Sequence, residues 1–112
     1  MPPADSRKDV LTGALDMLVL RTLTLGPAHG YAIARHIERL SEDVLRVEQG
    51  SLYPALDRLL RKGWVTAKWA ETPTKRKARY YTITKAGRKQ LEERATEYKR
   101  VSLAIARVMS RA

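Results

Sequence analysis

The chain has 112 residues and no cysteine. That excludes a disulfide framework and any thiolate metal site. Histidine is scarce too: only His29 and His36, seven positions apart. Two such ligands without cysteine or a nearby acidic constellation make a poor metal set, so no metal and no cofactor are expected. No stretch is long and apolar enough to span a membrane. The first nine residues, MPPADSRKD, lack the basic-then-apolar order of a secretory signal. A cytoplasmic, reducing location is expected. Catalytic constellations are missing as well. There is no nucleophile–base–acid set, no phosphate-cradling glycine loop and no paired carboxylates in an apolar setting. Glu92 and Glu93 read as a solvated helix face. An enzyme is not expected.

Acidic residues are scarce in one place. Residues 58–89 carry eleven lysines and arginines against Glu71 alone. Residues 1–57 carry six basic and eight acidic side chains, and residues 90–112 carry five and three. The net charge of +10 therefore comes from one segment. A solvated, lysine-rich surface would spread that charge. A focused positive field attracts a phosphate backbone.

The hydrophobic pattern organises the rest. Val10–Leu25 is expected as an apolar-rich helix, with Leu11, Ala14, Leu15, Leu18 and Thr22 at helical spacing and Val19, Leu20 and Leu23 widening the buried face. Gly26-Pro27 ends it. Gly30–Leu40 is a second helix, with Tyr31, Ala34, Ile37 and Leu40 (or Ile33 beside them) turned inward. Ser41–Gln49 connects it to the third helix, with a short extended piece at Leu45–Val47.

That third helix, Leu52–Lys62, lies within GSLYPALDRLLRKGWV, residues 50–65. Ser51 can cap it. Pro54 suits its first turn. Leu52, Leu56, Leu59 and Leu60 form a core stripe, while Tyr53, Asp57, Arg58 and Arg61 point away. Gly63 stops it in the left-handed conformation. The period then changes. Trp64–Ala70 and Ala78–Thr84 are rich in aromatic and β-branched residues, and the loop ETPTKRK joins them as a hairpin. Both tryptophans, Trp64 and Trp69, read as structural. Tyr80 and Tyr81 fall on opposite faces, one of them core.

Thr84 caps a long last helix, Lys85–Arg111. On it Leu91, Ala95, Tyr98, Ser102, Ile105 and Met109 alternate spacings of four and three, bordered by Val101 and Val108. So long a helix needs a second subunit. The dimer is expected to use that seam with Leu11, Leu15 and Leu18 of the first helix.

Three helices followed by a two-stranded hairpin is the winged helix-turn-helix order. The expected class is α+β, mainly helical. The domain spans 10–84, follows a loose tail over 1–9, and carries a dimerisation helix over 85–112. LDMLVLRTL (15–23), GPAHGYAIARHI (26–37), GSLYPALDRLLRKGWV (50–65) and ARYYTITKAGRKQL (78–91) stand in the order and spacing of one family. The chain resembles the PadR family of transcriptional regulators in its short form, with a single C-terminal helix. The resemblance implies a homodimer on an inverted-repeat DNA operator. It implies repression, relieved by a small aromatic or lipophilic effector or a stress signal.

Matching family positions meet DNA at Gln49, Ser51, Tyr53, Pro54 and Arg58. The chemistry agrees: glutamine can bond adenine edges, serine and tyrosine can reach phosphate, and arginine can read guanine or hold a phosphate. Lys75, Arg76 and Lys77 mark the wing tip, where phosphate or minor groove is met. Arg79 can equally pair with an acid. Tyr98, on the seam, is the expected effector contact. A protein-interaction module would lack the charge concentrated on helix three and wing, and an RNA binder would favour A-form over B-form duplex.

Overall fold

The protein is described here by a computed structural model over residues 14–111. The expected tail, Leu11 and the start of the first helix lie outside the described residues.

Helix α1 runs over 14–23. Leu15, Val19, Leu20 and Leu23 are at most 1 % exposed and form one wall of the core. It ends two residues before the expected Leu25. The amides of Thr24, Leu25 and Gly26 bond three residues back, to Arg21, Thr22 and Leu23, tightening the last turn. Gly26 then takes a φ of +137° that side-chain-bearing residues avoid.

A two-residue strand, β1 (Ala28–His29), follows, and the sequence pattern did not predict it. Helix α2 (Gly30–Leu40) has its expected bounds. Its cap is His29, whose Nδ1 accepts the Ala32 N–H at 3.2 Å. The inward stripe is corrected: Gly30, Ile33 and Ile37 are buried, while Tyr31 and Leu40 are 68 % and 70 % exposed. Two candidate stripes lie one helical step apart, and only tertiary packing chooses between them. Residues 41–45 form turns and bends, and residues 46–48, around the expected extended piece at Leu45–Val47, pair into no sheet. Glu42 and Asp43 take positive φ there, and the Val47 N–H donates to the Glu38 carboxylate at 3.1 Å.

Helix α3 (Gln49–Arg61) begins three residues earlier than expected. Glu48 holds the cap position without a side-chain cap bond, so Ser51 is a first-turn residue and not the cap, and Pro54 sits inside the helix. Leu52, Ala55, Leu56 and Leu59 are buried and Leu60 is half-buried. Gly63 stops the helix with a φ of +76°.

Strands β2 (Val65–Glu71) and β3 (Lys77–Ile83) pair antiparallel from Val65↔Ile83 to Glu71↔Lys77. β1 pairs with the other edge of β3, through Ala28↔Tyr81 and His29↔Tyr80, giving the order β1-β3-β2. Tyr81 is buried and Tyr80 half-buried, as expected of adjacent strand residues. At the hairpin tip the Lys75 N–H bonds the Thr72 carbonyl at 2.9 Å, with Lys75 at φ +63°. Pro73 inside that turn supplies a fixed φ.

Helix α4 (Lys85–Arg111) has its expected bounds. Thr84 caps it: its hydroxyl accepts the Gly87 N–H at 3.1 Å and donates to the Gly63 carbonyl at 2.8 Å. Only Gly87 and Leu91 of this helix are buried. Leu15 and Leu91, two of the residues expected at the dimer seam, belong to the chain's own core.

Candidate nucleic-acid interface

Helix α3 lies in the core along one side and in solvent along the other. Leu52, Ala55, Leu56 and Leu59 are at most 1 % exposed. That anchoring fixes the rotation of the helix about its axis, so the opposite face is presented in one orientation. Gln49, Gly50, Tyr53, Pro54 and Asp57 are exposed on it, and Ser51 is half-buried. Tyr53 leans on the start of α2, where a side-chain carbon added to Gly30 would lie 3.2 Å from its ring. Glycine there lets the tyrosine ring lie against the α2 backbone.

Arg58 behaves differently. Its guanidinium donates to Asp16 of α1 at 2.9 Å. The aspartate side chain is only 11 % exposed and the arginine side chain 37 %. A buried carboxylate requires a partner, so Arg58 is first of all the counter-ion of Asp16. One of its five N–H donors is used in that bond, and the remainder of the fork is part-exposed. Asp16 is hidden from composition because it sits inside an apolar helix. The acid within that run is the signal that a buried partner exists.

The wing supplies the cations. Lys75, Arg76 and Lys77 are exposed around the hairpin tip. Arg79 faces Tyr81 instead of an acid, with its guanidinium carbon 5.8 Å from the ring centroid. Burial pushes the Tyr81 phenol above its ordinary pKa, and Arg79 opposes part of that rise. Trp64 is held on the other side of the wing, with Lys62 Nζ at 4.6 Å and the Arg94 guanidinium carbon at 5.1 Å from its ring. It is structural, as expected. Trp69, expected to be structural as well, is 65 % exposed.

A cleft of about 950 Å³ opens between the helices and the wing. Tyr53 and Asp57 of α3 line one wall, with His29, Gly30 and Tyr31 at the start of α2. Trp69, Arg76, Lys77, Arg79 and Tyr81 line the other. Of the expected DNA contacts, Tyr53, Arg76 and Lys77 come together in this cleft. Gln49, Ser51 and Pro54 lie along α3 outside it, Lys75 stands at the hairpin tip, and Arg58 turns to α1. Among the described residues no group of histidine and acidic side chains could hold a metal ion.

The second expected site lies between α1 and α4. Ala14, Met17, Arg94, Glu97, Tyr98 and Val101 line a groove of about 290 Å³. Glu97 accepts from Arg100 one turn on, at 3.1 Å from Nε, which lowers the Glu97 pKa. Beyond Leu91 the helix leaves Tyr98, Val101, Leu103, Ile105, Val108 and Met109 exposed.

The model of the transcriptional regulator PadR-like family matches residues 19–93. A transcriptional regulator from Clostridium thermocellum superposes with a TM-score of 0.80 at 26% identity, over 88% of this chain and 96% of that one. A PadR family regulator from Eggerthella lenta gives 0.79 at 26% identity, over 97% and 93%. An uncharacterised protein of Lysinibacillus sphaericus is 28% identical over 85% of this chain and 87% of its own length. An uncharacterised 37.1 kDa protein of a Streptomyces fradiae transposon is 42% identical over 81% of this chain, which spans only 25% of that relative.

Proposed function

This chain belongs to the PadR-like family of transcriptional regulators, and from that premise we propose how it reads and releases DNA. Members of the family are DNA-binding regulators rather than enzymes. This one acts as a repressor: a homodimer bound to an inverted-repeat operator. The exposed start of α3, with Gln49, Ser51, Tyr53 and Pro54, enters the major groove. Arg58 contributes from the second turn with the part of its fork that Asp16 leaves open. Lys75, Arg76 and Lys77 hold phosphate or minor groove.

The observation that carries this reading is the coincidence of charge and shape. The eleven cations of residues 58–89 fall on α3 and its end, on the wing and on the first turns of α4, and three of them, Arg76, Lys77 and Arg79, line the cleft between the helices and the wing. Neutralising about six to ten phosphates would make affinity fall by about three to five powers of ten between roughly 50 and 200 mM salt. A fluorescence-anisotropy titration of duplex DNA over that range is the test, and binding that stays flat with salt removes the electrostatic argument.

The regulatory half of the proposal places a small aromatic or lipophilic effector in the groove lined by Met17, Tyr98 and Val101, closed by a second subunit. Tyr98 offers an aromatic face with a polar tip. Chemical-shift changes confined to the wing or to α3 on adding an active effector would remove the effector from this groove.

A further inference from the structure

The wing carries an exposed indole where the β pattern calls for cover. Val65, Ala67 and Trp69 share one face of β2, opposite Ile83, Tyr81 and Arg79 of β3. Along that face exposure rises steadily: Val65 is buried, Ala67 half-buried, and Trp69 is 65 % exposed. Val65 joins the core that α3 builds, Ala67 packs against that core, and Trp69 lies outside it. Trp69 is left as one side of the cleft, with Tyr31 and Tyr53 on the other, 68 % and 47 % exposed. Leaving large apolar side chains together in solvent is unfavourable unless something covers them.

The charges in the cleft say what does. Its cations, Arg76, Lys77 and Arg79, all come from the wing side, next to Trp69. Its one acid, Asp57, comes from α3. A phosphodiester strand would therefore lie toward the wing, away from Asp57, with its sugar faces toward the indole. Indole has an apolar face and a polar edge, which matches a deoxyribose flanked by phosphates. We propose that Trp69 is a DNA-contacting residue, packing on the sugar of a backbone strand whose phosphates are held by Arg76 and Lys77. The proposal rests on the reading of this face as the DNA-binding one.

Sugar contacts do not depend on sequence, so a random duplex of about 20 base pairs serves as the probe. Binding should change the tryptophan emission of the wild-type protein, and Trp69→Phe should remove most of that change, since Trp64 lies outside the cleft. Trp69→Ala should weaken binding about tenfold at every salt concentration and leave the salt slope unaltered. Arg76→Ala should instead reduce the slope by about one. Thermal melts that match the wild type would show that the exposed-site variants fold. Wild-type affinity in Trp69→Ala, or an emission change that survives Trp69→Phe, overturns the role of Trp69 while DNA binding stands. Failure of the wild type to bind any duplex at low salt overturns both.

Discussion

Arg58 pairs with Asp16, and the DNA contact proposed for it would draw on the same guanidinium, so the balance between the two roles is measurable. Removing it leaves Asp16 as a carboxylate with 11 % side-chain exposure and no guanidinium. Breaking a fully buried pair costs about 3–5 kcal/mol, and a surface pair is worth about 0–1 kcal/mol. Arg58 is part-exposed, so Arg58→Ala should destabilise the fold by about 1–3 kcal/mol. Adding Asp16→Asn should restore much of that stability, because an amide is far cheaper to bury than a charge. Any DNA affinity still missing in the double variant is the direct contribution of Arg58 to binding. Urea melts and anisotropy titrations on the same three proteins separate the two roles. Tyr81 gives a second test at this scale. Its folded pKa is raised above the ordinary 10.0, chiefly by burial. The neutral phenol is therefore the form the fold prefers. Its stability is fully present below pH 10.0 and is lost as pH rises through the raised folded value. Tyr81→Phe should flatten that alkaline part of the stability profile relative to the wild type.

At the scale of elements, two glycines make opposite predictions. Gly50 is inside α3 with nothing within 4 Å of where a side-chain carbon would lie. Alanine there should gain up to about 1 kcal/mol of helix propensity. If the start of α3 lies against DNA, Gly50→Ala should raise the melting temperature and lower operator affinity together. Gly87 begins α4 against the wing, where an added carbon would collide with the Trp64 carbonyl oxygen and lie 2.9 Å from Ile83 Cγ1. Overpacking of about 1–3 kcal/mol outweighs the same propensity gain. Gly87→Ala should therefore lower the urea midpoint. The elements themselves were unequally legible. The bounds of α2 and α4 were readable to the residue because Gly26-Pro27 and Thr84 punctuate the chain ahead of them, although the inward stripe of α2 was not. The start of α3 is illegible because Ser51 resembles a cap, while the actual start at Gln49, three residues before the expected Leu52, has no side-chain cap to announce it. β1 has two residues and so no period to read. The face of Trp69 was legible from alternation, but its exposure was not. Alternation tells which side of a sheet a residue takes, and tertiary packing decides whether that side is covered. Likewise the wing cations were found by composition, whereas their meeting with Tyr31 and Trp69 in one cleft depends on tertiary packing.

At the scale of the molecule, α4 is the unbalanced part. Its 27 residues span about 40 Å at 1.5 Å per residue. The described chain measures 54 × 33 × 22 Å, so the helix is a large part of its longest dimension. Past Leu91 no residue of α4 is buried, yet Tyr98, Val101, Leu103, Ile105, Val108 and Met109 lie along it, 41–76 % exposed. A second copy can cover them, and a two-fold pair is the commonest arrangement. The seam proposed for that pair is Ala95, Tyr98, Ser102, Ile105 and Met109, meeting Leu18 and its neighbours on α1. Leu15 and Leu91 already belong to the chain's own core, which leaves them little area to offer that seam. Such a pairing would set two copies of α3 about 34 Å apart, one turn of DNA, as an inverted repeat requires. Full burial of one isoleucine is worth about 1.5–3 kcal/mol, and a carboxylate put in its place adds a desolvation cost. Ile105→Asp occurs twice in a symmetric pair, so it should weaken the dimer by at least about 2 kcal/mol, or roughly 30-fold in Kd. The monomer should keep its fold, since Ile105 is 57 % exposed within one chain. Sedimentation equilibrium reads the association, and circular dichroism confirms the fold. A folded Ile105→Asp protein that remains fully dimeric at micromolar concentration would place the interface elsewhere. One that becomes monomeric should lose inverted-repeat binding far more than binding to a single half-site, because the half-site needs only one copy of α3 and one wing.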